Sequence, residues 1–556
     1  LSTPASTHDG PGRIPDDGAV ALDYARRAFE RQRVPLPPPG FRVDWDDQPF
    51  RHTFYRDAPK LPLPAPFSAP VPGGVLASVE RARAARNPAA TPTPEELAAA
   101  LACYAVTGRR ASPDWNDDST RRLHVGQAVW SRPTASGGGM YPVESYLVAG
   151  PDTVLPCGVY HHDTAHHALD RLSVQDRTAA LEEASGVRAP LYLVATLRFW
   201  KNSFKYHSFA YHVVTQDTGA LLGSWRTVLA AFGHTPRPVL WFDEAPVSAA
   251  VGVDGRTEAP FLVLPLGERT GGPSPRLLPG PAAPLPRVWE RSRRVRSFEL
   301  VEQVHLAALV GDAPRPAPEA GADCVAGPPT GDGPSVPLPP AEDAADGGGL
   351  ERALRTRRSG FGVLSARPAL HPAELGRILR AAERIGRCPT DVAPGPDRRP
   401  WVRLRLLANA VDGLERRAYC YDGDSHRLLP GPAVDFSDLQ RHYALTNYDL
   451  RQCAAVVAVC GRLEPLVGAY GARGYRMLGI EVGQAAQSAY LAAAEADLGI
   501  GAVLGLDNPA LDAMLGISGT DERSMLFLLL GRRRAPRTGY DHDLYRPRPT
   551  SEGAQR

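Results

Sequence analysis

The chain has 556 residues, 43% of them hydrophobic, and 63 Lys plus Arg against 61 Asp plus Glu give a formal charge of only +2. That length suits two to four domains of roughly 100–200 residues each, and the balanced charge, without a compact basic block, argues against nucleic acid as a partner. Seven cysteines with no Cys-x-x-Cys pair argue against a structural zinc site or an oxidised scaffold. The lack of a secretory core or a long apolar run reads as a soluble, cytoplasmic protein.

Residues 1–74 read as a disordered tail and a proline-rich wrapping segment, broken by a helix over 20–33 with Asp17 just before its start. A helix is expected over 76–87, ended by Asn87-Pro88. Thr93-Pro94-Glu95-Glu96 starts another, with Thr93 as cap, Pro94 in the first turn and Glu96 closing a capping box. Strands are expected over 143–149, 158–160, 191–197 and 261–266; the proline inside the last points to a sheet edge. A long helix over 208–231 carries Gly219 and Gly223 on one face, which permits close packing. Residues 270–291 and 311–347 are Pro/Gly-rich and flank a charged helix within 291–310, so 271–348 reads as a linker. Beyond it come a helix broken near Gly360, a helix opening at Pro372 with Glu374, strands over 402–408 and 454–460, a helix over 476–497, a glycine-rich 499–505 and a strand over 525–530.

One stretch stands out. Pro133-Thr134-Ala135-Ser136-Gly137-Gly138-Gly139 is a polar, glycine-rich turn running into a strand. The glycines leave the backbone open to close approach, and Thr134 and Ser136 supply hydroxyls beside it.

The sequence repeats internally. Thr93-Pro-Glu-Glu-Leu97 resembles His371-Pro-Ala-Glu-Leu375, and Tyr211, Asp217, Gly219 and Gly267 match Tyr475, Glu481, Gly483 and Gly531, each pair 264 apart. A constant offset across a helix and a later strand implies two similar α+β units, with a site between them. The units also differ. Arg357-Arg358-Ser359 stands where the first unit has Arg86-Asn87-Pro88, and Gly531-Arg532-Arg533-Arg534 where it has Gly267-Glu268-Arg269. Two cations and a hydroxyl suit a phosphate. The glycine-rich turn has no counterpart after 385. The second unit would therefore supply phosphate donors and the first unit the turn.

These residues resemble the flavin-dependent nitroreductase superfamily, in particular the azoline dehydrogenases of thiazole- and oxazole-containing peptides, in the tandem form found in thiopeptide pathways. The resemblance covers about 75–270 and 349–538. It implies an α+β fold of two tandem nitroreductase-like domains forming an intramolecular pseudo-dimer, with tails at 1–74 and 539–556. It implies FMN, with Arg357, Arg358, Ser359, Arg532, Arg533 and Arg534 at the phosphate. Pro133, Thr134, Ala135, Ser136 and Gly137 would lie at the isoalloxazine, and Gly501, Val503, Leu504 and Gly505 in the glycine-rich cofactor segment. Lys205-Tyr206 matches the branch's catalytic pair, whereas the second unit has Ala469-Tyr470. Thr134 replaces the usual serine. One active site per chain follows.

The implied reaction oxidises a peptide thiazoline or oxazoline to the azole, with oxygen reoxidising the flavin. The implied partners are the azoline-bearing precursor peptide, a cyclodehydratase and a leader-binding protein, with the linker as a docking surface; neither nucleic acid nor membrane is expected. Two other readings stay open: a reductase of small nitro or quinone substrates, and an inactive leader-binding scaffold. His161, His162, His166 and His167 read as a hairpin loop and not as a metal site.

Overall fold

The computed structural model describes residues 16–83, 90–111, 114–115, 123–124, 128–151, 153–269, 288–325, 327, 329, 331–343, 349–360, 364–395, 397–445, 447–534 and 540–545. The compared Arg86-Asn87-Pro88 lies outside them.

Two antiparallel sheets share one plan. In the first, the order is Lys60–Pro62, Ala168–Ser173, Gly158–Asp163, Val143–Ala149, Leu191–Arg198, Glu258–Leu266. In the second it is Val336–Pro337, Arg427–Ala433, Arg417–Asp422, Val402–Ala408, Ala455–Arg462, Glu522–Arg533, with Leu364–Ser365 and Leu498–Val503 added against the last strand. Registers repeat as well. Glu258 lies opposite Arg198 and Glu522 opposite Arg462, and 522−258 and 462−198 both equal 264. The bulge at Phe261, between Pro260 and Leu262, recurs on the equivalent strand at Met525, which lies between the partners of Val459 and Cys460. As expected from its prolines, Glu258–Leu266 is an edge strand.

Each unit contributes one long buried helix, Ala210–Ala231 and Arg473–Glu495, and these cross between the sheets. The crossing is reciprocal. A methyl group on Gly219 would collide with the Ile480 carbonyl, and one on Gly483 with the Gln216 carbonyl. Each glycine thus meets the 264-offset counterpart of the residue its partner meets, the pattern a two-fold interface imposes. Tyr211 and Tyr475 stack beside the crossing, centroids 6.0 Å apart. The capping boxes also recur. Thr93 Oγ1 accepts from Glu96 N while Glu96 Oε2 accepts from Thr93 N; at the second helix Glu374 Oε2 accepts from His371 N and His371 Nδ1 from Ala373 N.

Several expectations need correction. The first helix is Asp16–Phe29, so Asp17 lies inside it. A short helix, Phe199–Tyr206, precedes the long one and was not anticipated. His161 and His162 are not loop residues: they lie in the strand Gly158–Asp163, fully buried. His161 is held there by Glu144 at 2.9 Å and Asp170 at 3.4 Å from neighbouring strands, and the carboxylates raise its pKa to about 9 against the opposing effect of burial. The charged helix in the connection spans only Glu299–Ala307. The described part of 271–348 is packed onto both units: Trp241 Nε1 donates to Ala313 O and Arg473 Nη1 to Ala308 O. Among the described residues no helix is long and apolar enough to cross a membrane.

Candidate active site

The glycine-rich turn joins Val129–Ser131 to Val143–Ala149, and Gly137–Gly139 make one turn of 3-10 helix. Gly138 and Gly139 have φ of 62° and 65°, the left-handed region where side chains are disfavoured. Three anchors hold the turn. Thr134 N donates to Cys103 O at 3.0 Å, and the Thr134 and Ser224 hydroxyls meet at 2.7 Å. Gln487, on the second unit's long helix, accepts from Ala135 N at 3.1 Å and donates to Pro133 O at 3.3 Å. Asp217, on the first long helix, accepts from Ser136 Oγ at 2.9 Å and Gly137 N at 2.7 Å. Burial raises the Asp217 carboxyl to about 7, with these two hydrogen bonds acting in the opposite direction.

Lys205 and Tyr206 occupy the last turn of Phe199–Tyr206, both half-buried. They lie against the turn: a methyl group on Gly138 would sit 2.6 Å from the Tyr206 hydroxyl and 3.0 Å from Lys205 Cδ. Lys205 Nζ lies 5.8 Å from the Trp45 ring centroid and 5.4 Å from that of Tyr206. Glycine at 138 is what lets the backbone approach both side chains.

The second unit faces the same turn. Arg357, just beyond the helix Gly349–Thr356, donates to Arg132 O at 2.9 Å and lies 5.5 Å from the Tyr490 ring centroid. Burial lowers its pKa. Ser359 Oγ and Tyr490 Oη meet at 3.1 Å, and Tyr490 Oη accepts from Ala502 N at 2.6 Å. Tyr490 therefore ties the Arg357–Ser359 segment to the strand Leu498–Val503. Arg358 and Arg533 line one cleft with Thr356, Gly360, Asp497 and Gly499.

Strand alternation sorts the terminal arginines. Arg533 faces that cleft. Arg532, one residue earlier, points the other way and pairs with Glu374 at 2.7 Å, while Arg534 donates to Gln452 at 3.3 Å. The glycine-rich segment is likewise divided. Gly501 lies against Tyr448, and Val503 is buried in the core beside Phe527. The Leu504 carbonyl accepts from Arg31 of the N-terminal segment, and the Gly505 carbonyl accepts from Ala444 N at 2.9 Å.

The structure thus brings Lys205 and Tyr206 to the turn from the first unit and Arg357 to its leading edge, at the Arg132 carbonyl, from the second, while Arg358 and Arg533 line the cleft with Thr356 and Asp497 and Ser359 is tied to Tyr490. Asp217, Gln487, Tyr490 and Trp45 were not anticipated as site residues. Asp217 stood out in the sequence only as the counterpart of Glu481.

The corresponding cleft in the second unit is built differently. Tyr470, 264 beyond Tyr206, is buried, and a methyl on Gly321 of the segment Pro318–Cys324 would collide with its hydroxyl. Glu481 pairs with buried Arg398 and accepts from Trp401 N at 2.6 Å. Arg226, the counterpart of Tyr490, fills the interior and donates to the Pro389 carbonyl. Arg269, the counterpart of Arg533, reaches Thr178 at 3.4 Å.

Residues 354–532 match the nitroreductase family. A crystal structure of a candidate nitroreductase from Anabaena variabilis superposes with a TM-score of 0.67, covering 93% of this chain and 99% of that one at 22% identity. The fold is that of the nitroreductase superfamily. Two curated proteins are distant relatives of this nitroreductase-like chain. The trifolitoxin-processing protein TfxB of Rhizobium leguminosarum bv. trifolii is 30% identical over 138 residues, 23% of this chain and 36% of that protein. The microcin B17-processing protein McbC of Escherichia coli is 26% identical over 147 residues, 25% of this chain and 54% of that protein. The matched stretches therefore span about a third and about half of these relatives.

Proposed function

We propose that the chain is an FMN-dependent azoline dehydrogenase that oxidises thiazolines or oxazolines in a ribosomally made precursor peptide to azoles. Two tandem nitroreductase-like domains, 75–270 and 349–538, form an intramolecular pseudo-dimer with one active site. The observation that carries this reading is the meeting, at one glycine-rich turn, of the Lys205–Tyr206 pair and the Arg357–Ser359 segment contributed by the other unit. The distant relatives that process microcin B17 and trifolitoxin agree with a peptide substrate. A cyclodehydratase and a leader-binding protein are the corresponding partners.

The residues present fit FMN. Arg357 Nε and Arg358 Nε are buried donors without a hydrogen-bond partner among the described residues, as an anion site requires. Arg357, Arg358, Ser359 and Arg533 would hold the phosphate, and the turn 133–137 would lie at the ring system. Arg532 is committed to Glu374 through two hydrogen bonds and is left out of this assignment; Arg358 and Arg533 have longer ion pairs, with Asp541 at 3.4 Å and Asp497 at 3.6 Å, which a phosphate would displace. The site residues Arg534, Val503, Leu504 and Gly505 would act through the frame around the cleft. Bound there, FMN supplies the acceptor for the hydride equivalent that azole formation releases. The protein's task is to orient the azoline ring and take the proton from its carbon. Lys205 or Tyr206 would take that proton; free lysine and tyrosine side chains titrate at about 10, so either acts as the base only as far as the site tunes it. The plugged second cleft, with Arg226 inside and Pro318–Cys324 over Tyr470, supports a single site.

Lys205→Ala provides the test. FMN content is expected to stay at the wild-type level while azole formation on an azoline peptide falls by about 100-fold or more. Unchanged turnover would reject the catalytic assignment.

A further inference from the structure

The position of Asp217 in the first long helix leads beyond this reading, although the inference rests on the turn being part of the flavin site. We propose that the Asp217 carboxylate is a positioning group that fixes the glycine-rich turn against Lys205 and Tyr206, and that protonating it loosens the turn and switches the site off.

The geometry is a two-point clamp. One carboxylate oxygen accepts from Ser136 Oγ at 2.9 Å and the other from Gly137 N at 2.7 Å. Ser136 Oγ in turn accepts from Tyr141 N at 2.9 Å, so the clamp closes both ends of the three-glycine run. Gly138, between these ends, is the residue that touches Tyr206 and Lys205. A turn of three successive glycines has little stiffness of its own, so its position depends on these bonds.

The counterpart clamp shows what is distinctive here. Glu481 also holds the segment before its strand, accepting from Trp401 N and Val402 N, but it carries Arg398 as a buried counter-ion. Among the described residues Asp217 makes no ion pair with a cation. The titratable neighbour that faces it among the described residues is Tyr104, just beyond the helix Pro94–Ala102, whose pKa is raised first by burial and then by the Asp217 charge. Arg132, the residue before the turn, lies over the Tyr104 and Tyr141 rings, 5.1 and 4.0 Å from their centroids. From the second long helix the nearby polar group at the turn is the neutral Gln487. A buried carboxylate with hydrogen bonds but no counter-ion takes up a proton far more readily than an exposed one, in line with its elevation to about 7.

The sign follows. Above about 7 the carboxylate accepts both bonds and the clamp is closed. Below it the neutral acid keeps one good acceptor and must donate with the other oxygen, which opposes the Ser136 hydroxyl already directed at it. A carboxyl raised in the folded state favours folding at pH below its unfolded value near 4 and loses that contribution as pH rises toward 7. The closed clamp is thus the less stable and more active form.

Hydrogen exchange of the segment 132–141, in the full chain without added flavin and corrected for intrinsic rates, tests the clamp directly. In wild type, exchange at Gly137 is expected to be about 10-fold faster at pH 6 than at pH 8. In Asp217→Asn it is expected to be fast and independent of pH, and Asp217→Glu should restore part of the pH dependence. Azoline oxidation is read in parallel, with a one-proton acid limb near pH 7 in wild type that is absent from Asp217→Asn. A turn equally protected at both pH values in wild type overturns the inference. Exchange that follows the expected pattern in a protein that neither binds FMN nor oxidises azolines leaves the clamp standing and rejects the functional reading instead.

Discussion

Replacing Gly138 with alanine separates contact from backbone strain, because its neighbour supplies a control. Gly138 and Gly139 have nearly the same left-handed φ, 62° and 65°. An alanine at either position adds about 1–2 kcal/mol of conformational strain. Only at 138 does the new methyl meet anything: Tyr206 Oη at 2.6 Å and Lys205 Cδ at 3.0 Å, whereas nothing lies within 4 Å at 139. At 138 either the pair or the turn must move by several tenths of an ångström to one ångström. Displacement on that scale lowers turnover by about 100-fold where geometry controls the rate. Gly138→Ala is therefore expected to reduce kcat for azoline oxidation by about 30- to 100-fold, with FMN retained, since the proposed phosphate anchors lie on the other unit. Gly139→Ala is expected to lose the same stability in thermal unfolding but to keep kcat within about threefold of wild type, given the shared strain. Equal kcat in the two variants would refute the assignment of Tyr206 and Lys205 to the reacting site.

Further substitutions address the anchors and the fold. Arg357→Ala should weaken FMN binding by about 10- to 100-fold in a fluorescence titration, the value of charge-assisted hydrogen bonds to phosphate. Arg532→Ala should leave FMN affinity within about twofold, because that side chain serves Glu374 in a part-buried pair. Equal losses in the two would overturn the division of the terminal arginines. Gly483→Ala places a methyl into the Gln216 carbonyl at the helix crossing. It should destabilise the protein by about 1–3 kcal/mol or more in chemical denaturation, and an unchanged midpoint would remove the crossing from the account.

Much of the frame was legible in the sequence because its two similar sheets and long helices keep a constant offset. The 264-residue offset linked Gly219 to Gly483 and Tyr211 to Tyr475, and those residues meet at the crossing. The capping boxes at Thr93 and His371 were legible for a different reason, since they depend on residues three apart. The helix Phe199–Tyr206 escaped notice because Phe-Trp-Lys-Asn-Ser-Phe-Lys-Tyr mixes polar and aromatic residues over barely two turns. His166 and His167 do lie in the hairpin turn, but His161 and His162 were misplaced, for a physical reason too. His161 can be buried in a strand only because Glu144 and Asp170 lie on the adjacent strands, and that pairing leaves no local signal. Gln487 was hidden for a similar reason, as it touches the turn across the unit boundary, and Tyr490 because its partners Ser359 and Ala502, although in its own unit, lie on other elements. The Gln487 contacts are set by how the long helices cross, which the sequence records only through its glycines.

The asymmetry of the two clefts is the central claim, and it has a direct readout. FMN released from the purified chain, after reconstitution with excess flavin and removal of the unbound fraction, should amount to one molecule per chain. Two per chain would mean that the cleft holding Arg226 and covered by Pro318–Cys324 accepts flavin as well, and would contradict the single-site account.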